Sequence, residues 1–193
     1  MSETWQWIAL ICGIIGVLGT LMAVQPFTQA IWGKPKLAVG FEVETINGNS
    51  SLICQIWNVP IKKGILKMLS VKRTQIDNLF AEFEILDRKH MNSITGIIKP
   101  KLKTQQGQLF EQIVLPASDS PASFPIVVFR KELNGAYIAD KATNQVLPSH
   151  GIYIAKIKID YEGKNEQALQ EFVVLESLPY IGLGDRLIGG KLK

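Results

Sequence analysis

The chain has 193 residues, 47% of them hydrophobic and 20% charged, with a formal net charge of +4. That length allows one ordinary domain with an appendage, not two large ones. Two cysteines and two histidines leave little material for a Cys/His metal centre, and sixteen glycines with nine prolines exclude collagen-like and low-complexity chains. All 21 Lys and Arg residues lie after Gly33, and the segment before it holds one charged side chain, Glu3. Beyond Gly33 acids and bases interleave. A nucleic-acid binder shows a dense basic stripe instead, so nucleic acid is not an expected partner.

Residues 8–24 read IALICGIIGVLGTLMAV, with no charged side chain. Counted from Trp5 the run reaches twenty residues. At ~1.5 Å per residue this is roughly 30 Å, the thickness of a hydrocarbon core, and it predicts a single transmembrane α-helix. Trp5 and Trp7 would mark one membrane interface, and Trp32, Lys34 and Lys36 the other. The helix is expected to continue past Val24, with Pro26 kinking or ending it. Two lysines follow the span and no basic residue precedes it, so the predicted orientation is N-terminus outside and the following domain cytoplasmic. Cys12, Gly16 and Thr20 stand four apart, as do Ala9 and Gly13, with Gly19 and Ala23 a further pair. Small side chains at that spacing let helices approach closely, which predicts a homo-oligomer.

After the joint at residues 33–36, period-two patterns recur between turn signals. Strands are expected at residues 37–44, 51–57, 69–73, 79–86, 94–98, 109–115, 124–131, 136–139, 151–161 and 168–176. The clearest is 151–161, where Tyr153, Ala155, Ile157, Ile159 and Tyr161 share one face and Lys156, Lys158 and Asp160 the other. The turn at Glu162-Gly163-Lys164-Asn165 makes it one arm of a hairpin. Strands spaced about ten residues apart predict one antiparallel β-sandwich. The expected organisation is an anchor at 1–32, a joint at 33–36, the sandwich at 37–177 and a flexible tail at 178–193, making the chain mainly β.

Two stretches, Leu147-Pro148-Ser149-His150-Gly151-Ile152-Tyr153-Ile154-Ala155 and the LICQIWN run of residues 52–58, give the domain a fold-level resemblance to immunoglobulin-like sandwiches. The resemblance implies that Tyr153 occupies a tyrosine corner. Ala155 stands where antibody domains carry their second cysteine, so no inter-sheet disulfide is implied. A fold resemblance implies no activity.

Catalytic constellations are sparse. His90 sits in a polar turn and His150 ahead of a strand, without the neighbouring imidazole or thiolate that a metal ligand set requires. Glu82 and Glu84 share a strand face, as period-two acids on a solvated face do. In the tail, Gly184 and Gly189 suggest a phosphate loop, but Gly190 takes the lysine position and Leu192 follows Lys191 where a hydroxyl is needed. Cys54 reads as a small buried apolar residue. A pocket of His150, Asp140 and Ser149 would be the mark of an enzyme with dispersed residues. Basic clusters at Lys62, Lys63, Lys67, Lys72 and Arg73, and at Lys99, Lys101 and Lys103, are candidate contacts for anionic lipid or an anionic ligand.

The expected function is therefore non-catalytic: a single-pass, membrane-anchored interaction module that oligomerises through its helix, binds a protein partner and needs no cofactor or metal. The alternative is a membrane sensor-effector whose domain binds a small anionic ligand and whose span perturbs the bilayer.

Overall fold

The computed structural model describes residues 3–46, 49–62, 64, 71–130, 135–138, 146–148, 150–175 and 180–183. The helix α1 (Glu3–Trp32) comes first, followed by β1 (Leu37–Ile46), β2 (Asn49–Asn58), β3 (Ile76–Asp87), β4 (Leu102–Lys103), β5 (Leu109–Phe110) and β6 (Ile113–Leu115). Then come β7 (Ala122–Arg130), β8 (Gly135–Ile138), β9 (Val146–Leu147), β10 (Ile152–Tyr161), β11 (Lys164–Leu175) and β12 (Tyr180–Leu183). The chain is mainly β, in two antiparallel sheets. One runs β1-β2-β7-β4-β5, with β8 on β7 and β9 on β8; the other runs β12-β11-β10-β3-β6.

One core joins the inner faces. Leu52, Cys54, Ile56, Phe124 and Ile126 from the first sheet meet Phe83, Ile85, Ala155, Ile157 and Phe172 from the second. Phe83 and Phe124 stack across the gap with centroids 5.9 Å apart. Burying each large side chain contributes about 1.5–3 kcal/mol, and aromatic pairs add to that.

The alternation expected of β10 is observed. Tyr153, Ala155, Ile157, Ile159 and Tyr161 are buried. On the outer face Lys156 lies opposite Glu84, and Lys158 opposite Glu82. The Lys156 ammonium is 2.6 Å from Glu84, and that of Lys158 is 3.7 Å from Glu82 and 3.2 Å from Asp160. Cross-strand charge pairs of this kind hold register rather than supply much stability.

Several expected strands differ. Residues 109–115 break at Glu111-Gln112 into β5 and β6, which belong to different sheets; a run that crosses between layers cannot keep one alternation. Residues 94–98 contribute only the bridge Phe83↔Ile98, and Ser93 just before them bridges Leu86. Of the stretch 69–73, residues 71–73 are not strand, and 69–70 lie outside the described residues. The two-residue strands β4 and β9 are too short to carry a pattern.

The transmembrane expectation is corrected. The helix α1 forms and passes through Pro26 to Trp32, but among the described residues no helix is long and apolar enough to cross a membrane. The last turns of α1 carry Thr28 and Gln29, and the Gln29 side chain is bonded to the main chain of Lys72 in the β domain instead of facing hydrocarbon. The membrane anchor, the interface roles of Trp5, Trp7, Trp32, Lys34 and Lys36, and the orientation with an outside N-terminus and a cytoplasmic domain fall with that span.

Candidate functional site

The junction of helix and sandwich is held by a cluster of hydrogen bonds between residues distant in sequence. Gln29 turns its carboxamide toward the segment before β3. Its Nε2 donates to the Lys72 carbonyl at 2.6 Å and its Oε1 accepts the Lys72 N–H at 3.0 Å. Gly33 closes the helix by donating to the Gln29 carbonyl at 2.8 Å. A Cβ at Gly33 would stand 2.3 Å from Gln29 Nε2 and 2.4 Å from the Gln29 carbonyl oxygen, so a side chain there would collide with the clasp. The Gly33 carbonyl accepts the Thr74 N–H at 2.7 Å. Arg73 Nη1 donates to the Lys34 carbonyl at 2.8 Å.

Asn58, fully buried at the end of β2, completes the junction. Its Oδ1 accepts the Lys36 N–H at 3.3 Å, and its Nδ2 donates to the carbonyls of Thr74 at 2.8 Å and Leu115 at 3.3 Å. The joint, the approach to β3 and the end of β6 thus converge on one amide, fixing the base of α1 to the body.

Above that base, the described side chains of α1 are exposed or nearly so. Trp7, Leu10, Ile11, Val24, Phe27, Ile31 and Trp32 are exposed. Of the small residues singled out for packing, Cys12, Gly13, Gly16 and Thr20 are exposed, and nothing lies within 4 Å of a Cβ built at Gly13 or Gly16. Thr20 Oγ1 donates to the Gly16 carbonyl at 2.8 Å. The side chains of Trp5, Ala9, Gly19 and Ala23 lie outside the described residues.

Three of the six described basic candidates, Lys62, Arg73 and Lys99, have engaged side chains. Lys62 pairs with Asp119 at 2.6 Å, and Lys99 lies 3.4 Å from Glu82. Lys72 and Arg73 line a cleft of about 350 Å³ with Pro60, Ile61, Val71, Gln75, Pro116 and Ala117, but the Arg73 guanidinium is aimed at the helix joint. Lys101 and Lys103 are exposed. Lys63, Lys67, Asp140 and Ser149 lie outside the described residues, as does the tail 184–193 with Lys191 and Leu192.

The candidate acids and histidines have the following partners. Glu82 and Glu84 are held by the lysines opposite them. Asp87 Oδ2 accepts from the His90 N–H at 3.0 Å and lies 2.8 Å from its Nδ1, and these bonds hold the Asp87 carboxyl below its ordinary range. His150, at φ 60°, donates its N–H to the Val174 carbonyl at 2.8 Å. Among the described residues no three His, Cys, Asp or Glu side chains could hold a metal.

Cys54 is a free, buried cysteine whose thiol pKa is pushed far up by desolvation, and the thiolate is the reactive form. Iodoacetamide should therefore leave Cys54 untouched in the native chain and alkylate it in guanidinium. Mass-spectrometric mapping that finds Cys54 modified under native conditions would contradict the described core.

No family model and no curated protein matches the chain. Sequence reasoning missed Gln29, Gly33, Asn58 and Thr74. Their partners lie as far as 57 positions away, and no local pattern encodes such a pairing; the weak signal was a polar Gln29 following an apolar run.

Proposed function

We propose that the chain is a non-catalytic interaction module in which the sandwich is a rigid body and α1 is the arm through which copies associate. The observation that carries this reading is the contrast along α1: a base clamped by Gln29, Gly33 and Arg73, and an exposed length rich in large apolar side chains. Exposed apolar surface of this extent marks an interaction site. The occupant is a second copy of the same helix. Between Glu3 and Lys34 there is no charge for a charged partner to complement, and small residues four apart allow close helix–helix contact.

The sandwich itself is read as immunoglobulin-like. Supporting this are the strand order β1-β2-β7-β4 facing β11-β10-β3, which is the ABED and GFC arrangement of that fold, and a hydrogen bond from the Tyr153 hydroxyl to the Pro148 carbonyl at 2.6 Å, the geometry of a tyrosine corner.

Sedimentation velocity of the full chain tests the arm. An oligomer is expected at micromolar concentration, reverting to monomer in Leu10→Glu/Ile11→Glu. A wild-type monomer at every concentration, or an oligomer that survives the charged substitutions, would overturn the proposal.

A further inference from the structure

The outer edge of β1 is the longest described strand edge without a hydrogen-bonded neighbour, although β12 approaches β1 and β2. β1 pairs with β2 along its whole length, Leu37↔Asn58 through Ile46↔Asn49, and no described strand pairs with its other side. The other terminal strands, β5, β6, β9 and β12, have two to four residues each. An open edge presents alternate N–H and C=O groups in a row and is a template for an added strand.

The side chains of β1 state which strand would fit. On the inner side Leu37 is buried, and Val39, Phe41 and Val43 are partly buried against the core, so an incoming strand meets apolar surface there. On the outer side Glu42 and Glu44 are exposed. Glu42 Oε2 accepts from Gln55 Nε2 at 2.6 Å, and neither acid joins an ion pair among the described residues. An antiparallel second copy with outer faces matched would bring the acids of both copies side by side, which like-charge repulsion opposes. The same acids favour a strand whose outward residues are basic.

We propose that the β1 edge binds an extended protein segment of alternating basic and apolar residues, which adds as a further strand with its apolar side chains over Val39, Phe41 and Val43 and its basic ones beside Glu42 and Glu44. This rests on the interaction-module reading but uses a surface separate from α1, so the two can fail independently.

Fluorescence anisotropy with the full chain and a labelled Lys-Val-Lys-Val-Lys-Val-Lys peptide tests it. Saturable binding is expected, with hydrogen exchange of the amides in 37–46 that do not bond to β2 slowed only when the peptide is present. Glu42→Lys/Glu44→Lys, two exposed sites at which folding can be checked by thermal melting, should weaken binding about ten-fold, because two cross-strand attractions become repulsions. Leu10→Glu/Ile11→Glu should bind as the wild type does, whatever its oligomeric state. Absent binding, or equal binding by the charge-reversed variant, would overturn the proposal. So would protection, without peptide, of those amides in 37–46 that point away from β2, since the edge would then be held by a second copy or by residues 184–193 of the chain itself, which include Arg186, Lys191 and Lys193.

Discussion

Asn58→Leu is expected to lower the unfolding free energy by about 3 kcal/mol or more, because it leaves three main-chain groups without the partner they have in the native fold. The Lys36 N–H and the carbonyls of Thr74 and Leu115 all converge on the Asn58 amide, in a place from which water is excluded at Asn58 itself. Leucine has a similar volume, so the loss reports unpaired polar groups more than a cavity.

Asn58→Asp separates the two halves of the amide. The carboxyl can still accept from Lys36, but when ionised it places an oxygen against the carbonyls of Thr74 and Leu115. Burial and those carbonyls raise the folded-state pKa of such a carboxyl above its unfolded value of about 3.9. The sign follows from linkage. Below the unfolded pKa both states are protonated and the variant keeps a donor. As pH rises the unfolded state ionises first, and stability falls until the folded pKa is passed. The variant should therefore lie close to wild type at about pH 3 and be markedly destabilised at about pH 8, measured by urea denaturation at each pH relative to wild type. A pH-independent difference, or an Asn58→Leu midpoint within error of wild type, would mean that the amide does not hold the junction. The same variants should speed exchange of the Lys36 and Thr74 amides, since the base of α1 is tied through them.

What could be read from the sequence was whatever repeats locally. β10 alternates so regularly that its buried face, its charged face and its hairpin to β11 all follow from residues 151–165. Likewise, Cys54 between Ile53 and Gln55 in a β-type run predicted burial, and Cys54 is buried. The burial of Tyr153 was legible from the alternation, and its hydroxyl bond to the Pro148 carbonyl is local, closed within five residues. The junction was not legible, because its bonds join residues 16 to 57 positions apart. Asn58, next to Val59-Pro60, reads as a turn residue; its burial depends on the joint and β6 folding over it. Hydropathy over residues 8–24 predicted a helix and a membrane span together. Only the helix follows from chain-local propensity, and the span was the inference that required knowledge of the surroundings.

The second large effect is expected at Gly151. Its φ lies outside the left-handed region, so what demands glycine is space. A Cβ at this position would stand 2.1 Å from the Tyr153 hydroxyl oxygen and 2.3 Å from Tyr153 Cζ. The ring cannot retreat cheaply: Tyr153 is buried, packs on Phe172 with centroids 5.6 Å apart, and donates to the Pro148 carbonyl at 2.6 Å. Gly151→Ala should therefore cost about 3 kcal/mol, the sum of overpacking and a displaced hydrogen bond. Tyr153→Phe keeps the ring and deletes the donor, leaving the Pro148 carbonyl unpaired, for about 1–2 kcal/mol. The two effects share the hydroxyl, so they should not add: with Gly151→Ala already in place the bond is broken, and Tyr153→Phe should cost roughly 1 kcal/mol less than it does alone. Denaturant midpoints for the wild type, the two single variants and the double variant form a complete cycle. Strict additivity would show that the alanine methyl is accommodated without moving the ring, and that the fit of Gly151 beneath Tyr153 does not pin the start of β10.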